Sequence, residues 1–171
     1  VADPTTHPDL WRPDQGISQV MMAPIWEADQ LFGYLAACSS FGDPDFAPQD
    51  ELQIALLHYL RQEHEHVSWE RLVSGPGLVE IYRFLLASQG ARAGQERQEP
   101  PGMAERMQSD EPAAVVWHCA ASGESPLCGQ AVDLFLRLYG AEAGNLALKT
   151  MATGGLYIGG GIAPKILDWM R

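Results

Sequence analysis

The chain has 171 residues, 46% of them hydrophobic and 19% charged, which is enough apolar material for the core of one ordinary domain. Its formal net charge of −11 disfavours a nucleic-acid backbone or an anionic membrane surface as the main partner, although backbone N–H groups could still hold a small anion. Cys38, Cys119 and Cys128 are odd in number and match no zinc spacing, and neither an uninterrupted apolar run of membrane length nor a signal-peptide pattern is present. A soluble cytoplasmic domain is the expectation.

Val1 to Gly16 is rich in Pro, Asp and Thr and reads as a loop. Gln19–Trp26 and Leu31–Ala37 are apolar runs separated by Glu27-Ala28-Asp29-Gln30, which predicts a β-hairpin with a four-residue connection. Cys38 to Pro48 reads as a second loop. Asp50 is placed to cap a helix, with Gln53 three residues on to reach back, and Leu52, Leu56 and Leu60 mark one buried face beside Leu57. Ser68 caps a short helix ended by Ser74-Gly75-Pro76-Gly77, read as a turn, after which Leu78–Ala87 is helical.

Ser88 to Gly102 carries the composition of a surface connection. Asp110 and Pro112 open a helix running to Ser122, and Ser125-Pro126 opens another through Leu148, striped by Leu134, Phe135 and Leu138 despite Gly140 and Gly144. A short buried strand is expected in Gly155–Gly159, then a glycine turn, then a last helix from Pro164 to Arg171. Helix, strand, glycine turn and helix together make an α/β arrangement, helix-rich with a short sheet. His58, His64, His66 and His118 have no defensible metal spacing.

Four blocks then carry a resemblance: Asp45-Phe46-Ala47-Pro48, His66-Val67-Ser68-Trp69-Glu70-Arg71-Leu72-Val73-Ser74-Gly75-Pro76-Gly77-Leu78, Ala143-Gly144-Asn145-Leu146-Ala147-Leu148, and Gly154 to Pro164. In this order and spacing they resemble the bacterial glucokinase family from Asp45 to Arg171. The resemblance implies an incomplete actin-like, ribonuclease H-like sugar-kinase large domain at residues 45–171. It implies ATP and Mg²⁺ as cofactors and glucose as the sugar phosphorylated at its 6-hydroxyl.

By the same resemblance Glu70 is the carboxylate placed on the hexose hydroxyls, where two oxygens accept from neighbouring O–H groups. Read alone, Glu70 would be a solvated helix glutamate beside Arg71. Gly159, Gly160, Gly161 and Ile162 match the turn that lies against the adenosine, where a Cβ would hold the backbone away; read alone, the triplet is a tight structural turn.

The pattern also breaks. The family's Asp-Gly-Gly-Thr phosphate loop and catalytic Asn-Asp pair do not occur, so no catalytic residue is assigned, and Ser40-Phe41-Gly42-Asp43 stands where the family carries Glu-Gly-Gly-His. Two sugar contacts are therefore expected to be lost, and the chain alone is expected to be inactive. The family also continues past the position of Arg171, which suggests a truncated or rearranged product. Residues 1–44 form a separate hairpin segment of uncertain origin, with a faint likeness of Met22–Ile25 and Leu31–Leu35 to the central hairpin of a GAF domain. The alternatives are a non-catalytic hexose- or partner-binding module and an inactive remnant, which could homodimerise.

Overall fold

The computed structural model describes residues 20–27, 30–38, 45–91, 99–109, 111–152, 154–158 and 161–169. They fall into two compact units, one of residues 44–138 and one that joins the described parts of 1–43 to 139–171.

The 44–138 unit is helical. Helix α1 (Glu51–Leu60) starts where the Asp50 carboxylate accepts from the Gln53 N–H at 2.8 Å, and Gln53 in turn accepts from the Gln49 N–H at 2.9 Å. The expected cap is present, but the buried line runs through Gln53, Leu56 and Leu60, leaving Leu52 38% exposed. Gln53 tolerates burial because its carbonyl is satisfied by the backbone ahead of the helix. The short helix α2 (Trp69–Leu72) is capped by the Ser68 hydroxyl, which accepts from the Arg71 N–H at 3.3 Å.

Helix α3 (Gly75–Ala91) begins earlier than the sequence suggests. Gly75-Pro76-Gly77 is its first turn and not a separate turn, because Ser74 caps it and proline at that position gives up only an N–H without a helical partner. The expected connection from Ser88 also gives way: α3 runs to Ala91, and helix α4 (Met103–Ser109) lies within what composition marked as irregular or left unassigned. Gly102 enters α4 at φ +72, a backbone that glycine allows freely, and Met103 is fully buried. A single buried anchor outweighs the poor helical pattern there.

Helix α5 (Pro112–Ala121) and helix α6 (Pro126–Thr150) follow as expected, α6 opening on the Ser125 hydroxyl, which accepts from the Leu127 N–H at 3.2 Å. Helix α3 packs against α1, α2 and α5, and α4 lies on α5. Leu56, Leu72, Ile81, Tyr82, Val116 and Phe135 are among the fully buried side chains. The Tyr82 hydroxyl donates to Glu99 Oε1 at 3.2 Å, and burial next to that carboxylate raises its pKa.

In the second unit, strands β1 (Val20–Glu27) and β2 (Gln30–Cys38) pair antiparallel, and β1 also pairs antiparallel with the two-residue strand β3 (Tyr157–Ile158), giving the order β2-β1-β3. The ladder continues to Glu27↔Gln30, so the connection is tighter than the four residues expected, and the register shifts between Ile25 and Trp26. Ala143 and Leu146 on α6 are buried, with Leu156 and Ile158 packed against them. Helix α7 (Ala163–Ile166) and a 3-10 turn (Leu167–Trp169) close the unit, in place of one continuous final helix. Among the described residues, no helix is long and apolar enough to cross a membrane.

Candidate functional site

Glu70 sits in the first turn of α2, within the 44–138 unit. Two short segments hold that turn in place. Asp45 forms an antiparallel bridge with Ser68, and the Phe46 N–H donates to the Val67 carbonyl at 2.9 Å. The Phe46 ring meets the Trp69 ring edge-on, with centroids 5.0 Å apart, and both side chains are buried. His66 Nδ1 lies 2.9 Å from Asp45 Oδ1 at the surface. The residues flanking Glu70 are thus pinned by backbone pairing, a ring contact and a hydroxyl cap.

Glu70 itself is half-buried, and no described residue pairs with its carboxylate. Arg71 is not its partner: the guanidinium lies 3.4 Å from His64 Nε2. A partly desolvated carboxylate on a rigid turn, without an internal donor, is suited to accept hydrogen bonds from an external hydroxyl pair.

The Ser74–Gly77 segment explains why α2 and α3 can meet so closely. The Ser74 hydroxyl donates to the Arg71 carbonyl at 3.3 Å and accepts from the Gly77 N–H at 3.2 Å. A Cβ at Gly77 would lie 2.3 Å from both the Arg71 and Leu72 carbonyl oxygens. Only glycine lets the first turn of α3 close on the end of the helix that carries Glu70.

The glycine turn belongs to the other unit. Gly159 and Gly160 lie outside the described residues. Gly161 is exposed, and a Cβ there would meet nothing within 4 Å; Ile162 is half-buried and flanks α7. The described packing therefore does not itself require glycine at 161, where the backbone is exposed. Glu70 and Gly161 lie in different units. Among the described residues, no group of three or more His, Cys, Asp or Glu is arranged to hold a metal ion.

The glucokinase family profile matches residues 25–171. This chain belongs to the glucokinase family. It is 47% identical over 138 residues to the glucokinase of Nostoc sp. strain PCC 7120, covering 75% of this chain and 40% of that protein. Identity to the glucokinase of Synechocystis sp. is 41% over 145 residues, covering 81% of this chain and 41% of that protein, and to that of Neisseria meningitidis serogroup B 35% over 139 residues, covering 81% and 38%.

A crystal structure of glucokinase from an Antarctic psychrotroph superposes with a TM-score of 0.62 at 32% identity, over 85% of this chain and 39% of that one. The chain thus has the fold of a sugar-kinase segment and spans about 40% of the length of the curated relatives it matches. The profile also reaches further toward the N-terminus than the block beginning at Asp45, entering β1 at Ile25.

The supports of Glu70 were not identified from the sequence. Asp45-Phe46 and His66-Val67-Ser68-Trp69 alternate polar and apolar residues, with an acid diagonal to a histidine and one ring diagonal to another across the bridge, and that pairing was the available signal.

Proposed function

We propose that this chain is a portion of the large domain of a glucokinase, of actin-like fold, acting in the cytosol on glucose and ATP. In the complete enzyme the γ-phosphoryl group of ATP passes to the glucose 6-hydroxyl. The observation that carries this reading is the unpartnered, half-buried Glu70 carboxylate on a turn fixed by Phe46, Ser68 and Trp69. Its two oxygens accept from neighbouring sugar hydroxyls, and its fixed position means that little ordering entropy is lost on binding.

The nucleotide reading rests on Gly161 and Ile162, with Gly159 and Gly160 completing the turn by resemblance. Open backbone at Gly161 suits close approach of a flat adenosine. When bound, ATP supplies the transferable phosphoryl group; the part of this chain is to bind and orient. No residue of this chain is assigned to Mg²⁺. The base that deprotonates the sugar and the loop that cradles the phosphates are assigned to polypeptide outside this sequence, so this chain alone binds without turnover.

Thermal unfolding with and without millimolar glucose, against a non-substrate sugar, tests the reading. A ligand that binds only the folded state stabilises by about 2.7 kcal/mol at a hundredfold excess over Kd. A glucose-specific rise that Glu70→Ala abolishes is the expected result, with the unliganded midpoint nearly unchanged. A large fall in the unliganded midpoint would make Glu70 structural and remove its assignment to the sugar.

A further inference from the structure

The outer face of α6 changes character along its length. In its first half, Asp133 and Arg137 form an ion pair one turn apart. In its second half the same side carries Gly140, Gly144 and Leu148 at intervals of four residues, which places them on one face. Both glycines are exposed, and a Cβ at either would meet nothing within 4 Å. Glycine is a poor choice in a helix interior, and nothing within the described chain requires it here.

Leu148 follows at 79% exposure. Met151, 80% exposed, ends the helix at φ +46, a left-handed backbone unusual for a side chain of this kind. Two unfavourable glycines and a strained, exposed methionine lie together with Leu148 on one side of the helix, with the exposed Lys149 beside them. Bare backbone next to large apolar side chains lets another element approach closely and then fill the space beside it.

We propose that Gly140, Gly144, Leu148 and Met151 form a docking face for the part of a glucokinase that lies outside the stretch matched by this chain. The length of the relatives supports that occupant: more than half of each lies beyond the match, and that polypeptide must be covered by and cover something. A second copy is the weaker fit, because each copy has a formal charge of −11 and two would repel. The proposal rests on family membership and not on the role of Glu70, so the two fail independently.

The test introduces Leu148→Cys in a Cys38→Ser background, with the buried Cys119 and Cys128 as internal controls. Maleimide labelling is followed in the isolated chain and in a hybrid in which this chain replaces the matching stretch of the Nostoc glucokinase. Labelling roughly tenfold or more slower in the hybrid is expected, because a docked position reacts only when it opens. Should the hybrid not fold, the aligned position of the unaltered Nostoc enzyme is made cysteine and labelled in the same way. Equal rates in the intact protein and the isolated chain overturn the proposal. Sedimentation of the isolated chain is the second measurement: a dimer dissociated by Leu148→Asp overturns it as well, since the occupant would then be a second copy.

Discussion

Residues 44–138 and residues 139–169 bury their apolar side chains to different degrees. In the first stretch, Leu56, Leu72, Ile81, Val116 and Phe135 are almost completely enclosed, and the exposed large hydrophobics, Leu52 and Ile54, are only modestly so. In the second, Ala143, Leu146, Ala163 and Ile166 are buried, while Leu148 and Met151 stand four-fifths exposed and Leu167 and Trp169 about two-fifths. The helical stretch closes a core of its own. Among the described residues, the C-terminal stretch leaves more of its large apolar side chains exposed, and the chain spans about 40% of the length of the curated relatives it matches.

Substitutions test the difference between the two stretches. The largest effect is expected for Leu72→Ala, which empties a fully buried position at the junction of α2 and α3; it should lower the stability of the 44–138 unit by about 3 kcal/mol in urea unfolding. A loss near zero would mean that this unit is not the closed core described. Gly77→Ala comes next: with carbonyl oxygens 2.3 Å from the new methyl group, α2 and α3 must separate, at a cost of about 2 kcal/mol. It should also weaken any glucose effect, because the helix that moves carries Glu70.

Met151→Gly should act in the opposite direction, relieving the left-handed strain and raising stability by about 1 kcal/mol, measurable as a higher melting temperature. A loss instead would show that the methionine already packs on something in the isolated chain. The gain should disappear in the Nostoc hybrid if the side chain is buried there.

Alkaline titration compares the two units in a separate way. Burial pushes the Cys128 thiol up to about 12, helped by its contact with Cys119, and burial pushes the Tyr139 hydroxyl up to about 12. Both groups hold their proton more tightly when folded than when unfolded. The stability they contribute is therefore complete below the ordinary pKa values of 9.0 and 10.0 and is lost as pH rises toward about 12. Unfolding midpoints should fall across that window, and Tyr139→Phe should flatten part of the slope. A profile unchanged by Tyr139→Phe would show that the Tyr139 hydroxyl does not contribute.

Much of the helical framework was legible because local chemistry decides it. Asp50, Ser68, Pro112 and Ser125-Pro126 mark helix starts through a side-chain cap or a fixed φ, and neither needs a distant residue. The tight end of the hairpin was not legible, since the ladder reached further than the composition of Glu27–Gln30 indicated. Helix α4 was hidden for a different reason: its strongest determinant is the burial of Met103, which the run Pro100-Pro101-Gly102 masks.

Residue type and order are enough to carry the family resemblance and to single out Glu70, Gly159, Gly160, Gly161 and Ile162. Folding was needed to show that Glu70 has no partner among the described residues while Arg71 turns to His64, and that Asp45 and Phe46 reach across to hold its helix. It alone decided that Gly77 is forced by a carbonyl contact whereas Gly140, Gly144 and Gly161 are not. A glycine looks the same in any sequence; what distinguishes these four is the space around the missing Cβ, and that space is made by residues brought near by folding.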